Sequence, residues 1–121
     1  MTDMPMSSPG TWGKGKPRNL QEALACVKKS LDLVETTVGK VKGSTADHVM
    51  NIKDAAKGLL KELDNNSSGQ QVRTRLGQFH AGTQAAKTAV NAKFEGNDMT
   101  MGPVIALLGS VADLDDLAQN L

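Results

Sequence analysis

The spacing of aliphatic residues between Leu20 and Leu59 constrains this chain more than any other feature. Leu20, Leu24, Val27, Leu31, Val34, Val38 and Val41 are separated by alternating steps of four and three. That is the 3.5-residue repeat that lays one apolar stripe along one side of a helix. Continuing the count reaches Thr45, His48, Ile52, Ala55 and Leu59, so the register carries on beyond Gly43 and Ser44. A single amphipathic helix cannot hide such a stripe. The rest of the chain, or another copy of it, must cover it.

Local signals divide the stretch. Asn19 followed by Glu22 predicts a capped helix start, and the helix is expected to run to about Lys42. Gly39 and Gly43 weaken it there, and Ser44 with Asp47 fits a second capping box. A continuous rod explains the unbroken count; a break at Gly43-Ser44 explains the caps, and the local signals favour a break or kink. Beyond it, Val49, Ile52, Ala56, Leu59, Leu60 and Leu63 share one face, with Lys53, Lys57 and Lys61 on a solvated side.

Asp64-Asn65-Asn66-Ser67-Ser68-Gly69 reads as a loop, after which Ser68 and Gln71 or Ser67 and Gln70 form another capping pair. A second seam follows at Val72, Leu76, Phe79, Thr83, Ala86 and Val90. So short a loop makes its helix the antiparallel neighbour of the one before. Gly96 and Asn97 suit a helix C-terminus, and Pro103 suits the first turn of a last helix. That helix carries Val104, Leu107, Leu108, Val111, Leu114 and Leu117 on its apolar side. Asp113, Asp115 and Asp116 lie in its C-terminal half, where the helix dipole disfavours them, so basic groups are expected nearby, Arg73 and Arg75 being candidates.

The expected fold is therefore all-α: an antiparallel helical hairpin within a small bundle of three to four helices, spanning about 19–42, 45–63, 70–94 and 103–119. A chain of 121 residues holds one modest core. Trp12, Phe79 and Phe94 are its only aromatics, which suits a slim helical bundle built from aliphatic side chains rather than a sheet or barrel. Residues 1–18 differ from the rest. Three prolines, three glycines and no apolar periodicity make them an extended arm preceding a 19–121 bundle.

No constellation for catalysis is legible. His48 and His80 have no Glu or His at i+3 or i+4, so no metal site is expected. His48 falls on the seam, where a buried histidine fixes register; His80 reads as surface or flank. Cys26 sits beside the seam as a partly buried thiol, and a single cysteine forms no internal disulfide. No strand leads into a glycine-rich turn, so phosphate-loop and dinucleotide readings fail. The expectation is a protein that is not an enzyme, without cofactor or small-molecule substrate.

Charge indicates partners more than its sum of +1 does: residues 69–95 carry a net +3 and residues 96–121 a net −4. In the arm, Trp12 stands among Lys14, Lys16 and Arg18, residue types enriched among interface anchors, with the Asp113, Asp115 and Asp116 cluster of a neighbouring copy as the complementary rim. A stripe about 60 Å long, facing a second seam of about 30 Å, leaves Leu24, Leu31, Val38 and His48 for a second copy.

The function expected is that of a structural or assembly protein. It acts through helix–helix contacts with protein partners, its own copies included, as a repeated subunit of a large assembly such as a virion or secretion apparatus. The alternative is a regulatory or DNA-associated protein using its basic arm and Arg73 and Arg75, although a pI near 7.9 is mild for nucleic acid. No signal peptide or membrane span is read, so a soluble chain of cytoplasmic synthesis is expected, free or incorporated into a particle.

Overall fold

The computed structural model describes residues 16–121. Four α-helices follow in order: α1 (Leu20–Thr37), α2 (Ser44–Glu62), α3 (Gly69–Glu95) and α4 (Gly102–Ala118). Single 3-10 turns lie after α1, at Val38–Lys40, and before α4, at Met99–Met101. There is no strand among the described residues, so the all-α expectation holds.

Each boundary has a local cause. The Asn19 Oδ1 accepts from the Glu22 N–H at 2.9 Å, as the capping pair requires. The Glu22 carboxylate reaches back to the Arg18 N–H, one residue earlier than a closed box would place it. Ser68 and Gln71 form the complete reciprocal box at the start of α3. At the other end of α3, Asn97 takes φ 74° and the Asp98 N–H bonds the Lys93 carbonyl, a left-handed helix stop.

The expected boundary near residue 42 is displaced. α1 stops at Thr37, and Val41 is extended. Gly43, at φ 70°, is the residue that reverses the chain, a conformation that costs glycine little and other residues more. It also occupies the N-cap of α2, where Ser44 makes no side-chain cap bond, so the second capping box does not form.

This turn also ends the long register. Leu20, Leu24, Val27, Leu31 and Val34 are buried, but Val38 and Val41 are only half-buried. Past the turn the buried positions of α2 are Val49, Ile52, Ala56 and Leu59; Thr45, His48 and Ala55 are half-buried. The 3-10 turn and the extended residues rotate the phase of the helix, and His48 leaves the seam. On α3 all six seam positions, Val72, Leu76, Phe79, Thr83, Ala86 and Val90, are buried.

The pairing of helices removes the excess stripe. α2 packs on α3 as the expected hairpin, and α1 packs chiefly along α4. Leu24 and Leu31, at 9% and 5% exposure, belong to the core of one copy and cannot serve a second while the fold stands. Within the α1–α4 contact the hydroxyls of Ser30 and Ser110, both fully buried, lie 2.8 Å apart. Ser110 also donates to the Ala106 carbonyl at 3.2 Å. A satisfied polar pair in an apolar seam opposes sliding of one helix along the other.

Two measurements test this packing. Leu107 is fully buried, whereas Leu108, expected in the core, is half-buried. Leu107→Ala should therefore cost about 2–5 kcal/mol in urea unfolding, and Leu108→Ala distinctly less. Across α1 and α2, the Lys57 ammonium donates to Glu35 at 3.0 Å and holds its carboxyl below the ordinary value of 4.5. With the folded value below the unfolded one, this contribution is complete above pH 4.5 and fades as pH falls through the folded value. In acid titrations, Lys57→Met should lose less stability below that point than the parent chain.

Candidate functional site

The acidic end of α4 brings together most of the titratable groups whose partners come from distant parts of the chain. Asp116 pairs with Lys16 at 2.9 Å, both side chains 64% exposed. Hydrogen bonding to Asp116, with its charge and that of Asp113 nearby, raises the Lys16 ammonium above its ordinary 10.5. Arg73 Nη1 donates to the Ala118 carbonyl at 2.9 Å and to the Leu121 carbonyl at 3.4 Å, so a cation covers the negative end of the α4 dipole. Close by, Gly69 lets the start of α3 approach the chain end: a Cβ there would lie 2.9 Å from the Leu121 carbonyl oxygen. Basic groups do stand near the aspartates, but the direct partners are Lys16 and His80; of the two candidates, Arg73 lies on the carbonyls and Arg75 pairs with Glu62 instead.

Asp115 faces His80, and this contact has the most definite chemistry in the bundle. His80 Nε2 and Asp115 Oδ2 are 2.7 Å apart; on the opposite side of the ring, Nδ1 is 2.8 Å from Lys87 Nζ. A lysine ammonium only donates, so Nδ1 is the acceptor. The neutral ring then carries its hydrogen on Nε2 and donates to the carboxylate, which only accepts. One tautomer satisfies both neighbours. The His80 and Asp115 side chains are about one-third exposed, and Lys87 is half-buried.

Next to Lys87 the outward side of α3 is unusually plain. Between Arg75 and Lys93 the only formally charged residue is Lys87. Gly77, Ala81, Gln84, Ala85, Thr88 and Ala92 are all exposed there. Lys87 borders this shallow face together with Ala81, Gln84, Ala85, Thr88 and Asn91. Exposed helices normally carry charge, so a charge-poor stretch 16 residues long, from Gly77 to Ala92, stands apart from α1 and α2 with their ion pairs Lys28–Asp32, Glu35–Lys57 and Lys53–Asp54.

The residues singled out by sequence are dispersed. Trp12 and Lys14 lie outside the described residues. Lys16 is bound to its own chain's Asp116 and Arg18 to Glu22 at 3.1 Å, so among the described residues the acidic rim is met in the same copy. Arg75 pairs with Glu62 at 3.1 Å and also donates to Gln78. With Arg73 on α4, both candidate nucleic-acid arginines are engaged within the bundle. His48 and Val38 are half-buried on separate elements, and Cys26 is half-buried as expected.

The His80 cluster was missed because Asp115 is 35 residues away in sequence. The spacing of His80 and Lys87, two helical turns, was the available signal. Among the described residues no helix is long and apolar enough to cross a membrane. Comparison with protein families, with curated proteins and with solved structures returns no match for this chain.

Arg73→Ala should lower unfolding stability by about 1 kcal/mol through the exposed α4 carbonyls, and Arg73→Lys should recover part of it. Equal stability of all three proteins in denaturant titrations would contradict the capping role.

Proposed function

We propose that this protein is a non-enzymatic assembly component that binds other protein chains, copies of itself included, through the outward face of α3. The observation that carries the reading is the charge-poor, small-residue strip from Gly77 to Ala92, left uncovered by the other helices of the bundle.

Two physical features support a second copy as occupant. Small side chains allow two helix backbones to approach toward the near end of the usual 8–10 Å separation. A strip whose one charged residue is Lys87, at its border, repels its own image little, and a two-fold contact places the same patch on both sides. The strip is also modest: 16 helical residues span about 24 Å, which with one helix width of about 10 Å is well under the roughly 800 Å² per partner of a standard interface. An isolated contact of this size is weak. It becomes firm where a further contact links such pairs into a particle or other repeated array. The basic residues favour this reading over nucleic acid, because Arg73 and Arg75 are engaged within the chain.

Sedimentation over a wide concentration range tests the proposal. The parent chain should self-associate at high concentration, and association should change little between low and moderate salt, unlike phosphate-driven binding. Ala85→Glu, an exposed change between good helix formers, should reduce association at least about tenfold and leave the melting temperature nearly unchanged. A chain that is monomeric at every concentration, or unaffected by Ala85→Glu, would refute it.

A further inference from the structure

We propose that His80 gates the charge on the α3 face: protonation of its ring expels the Lys87 ammonium onto that face and weakens the self-association assigned to it. The inference rests on the docking role proposed for α3 and adds its regulation.

The stereochemistry of one ring carries the argument. Neutral His80 offers a lone pair at Nδ1, and Lys87 Nζ occupies it at 2.8 Å, while Nε2–H points at Asp115 Oδ2 at 2.7 Å. In this state the lysine ammonium is tied to the ring at the border of the small-residue strip that Lys87 helps to line. Imidazolium has a donor at both nitrogens. The Asp115 contact survives protonation and strengthens as an ion pair. The Lys87 contact does not, because two donors and two positive charges then meet at hydrogen-bond distance. A rotation of the lysine stem relieves this by moving the ammonium over Ala81, Gln84, Ala85 and Thr88.

Among the described residues, several acids on the elements packed against α3 are already engaged. From α4, Asp115 is bonded to the ring, Asp116 is bound to Lys16, and Asp113 is buried. From α2, Glu62 is held by Arg75. In the turn before α4, Asp98 is bonded to the Thr100 amide and hydroxyl. The displaced charge therefore goes to solvent on the strip. In a two-fold contact it appears twice, once from each copy, on a surface that otherwise carries none. Like charges brought together at an interface oppose binding, so association falls when the His80 ring takes up its second proton.

The test has two readouts on the full chain. In dilute solution, where the chain is monomeric, nitrogen NMR should find the His80 proton on Nε2 at pH 8, and the Lys87 side-chain signals should move with the same midpoint as the ring on acidification. In sedimentation equilibrium, Kd should rise at least about tenfold between pH 8 and pH 5 for the parent chain. It should stay level for Lys87→Met, which keeps the stem and removes the charge. A Lys87 that ignores the titration of His80, association equally tight at both pH values, or a pH response that persists in Lys87→Met would each overturn the gate alone. Absence of association at every pH, with the two side chains still titrating together, would remove the docking face and the gate with it.

Discussion

The covering of α1 by α4 is the constraint on which the rest of the structure depends. α1 has 18 residues and α4 has 17, so each presents a stripe about 26 Å long to the other. Their lengths match, and the stripe of α1 is used up inside one chain. The alternative, a rod running unbroken into α2, would leave about half its length bare and require a partner. The break after Thr37, made by the 3-10 turn, the extended Val41 and the left-handed Gly43, decides between these outcomes. It lets α2 turn away and pair with α3, leaving α1 free for α4.

That pairing brings a cost with it at the end of α4. Three aspartates in the last two turns add negative charge to the negative end of a helix dipole. Two cations and one neutral hydrogen-bond donor meet this end from three separate places: Lys16 ahead of α1, Arg73 in the first turns of α3, and His80 further along α3. Each contact also ties α4 to another segment. The exposed Lys16–Asp116 pair contributes little to stability at 64% exposure, whereas Arg73, a cation held on backbone carbonyls, closes a helix end that would otherwise face water alone.

Much of the bundle was legible because its signals are local. The Asn19 cap, the Ser68 box, the Asn97 stop and all six positions of the α3 seam depend on residues within a few turns of one another. What escaped depends on the third dimension. The heptad count continued arithmetically through Gly43, although a 3-10 turn and extended residues there reset the phase, so His48 and Val38 were placed on a seam they do not share. Leu24 and Leu31 were correctly read as apolar-face residues, but spacing does not say whether the cover comes from α4 or another copy. Ser30 lies in the apolar stripe of α1, three residues after Val27, and its polarity was the only hint of the hydroxyl pair with Ser110. Asp115 and His80 gave no joint signal, since only the α3–α4 packing brings them together.

The length of α3 connects the fold to its proposed role. At 27 residues it spans about 40 Å, against about 28 Å for α2, and its C-terminal part is met by the turn at Met99–Met101 and by α4. One helix thus serves two neighbours on its inner side, with an inner face that must be apolar along its whole length. Its outer side has no such duty, and on α1 and α2 the corresponding sides carry paired charges. That α3 instead presents Gly, Ala, Thr, Gln and Asn cannot be assigned to packing, because those side chains are exposed. It costs helix stability too, since Gly77 and Gly82 are each worth roughly 1 kcal/mol less than Ala in a helix interior, and a Cβ at either position would meet open space. The proposed contact role accounts for a stability loss with no packing return, and the one lysine on this face is tied to His80 at 2.8 Å.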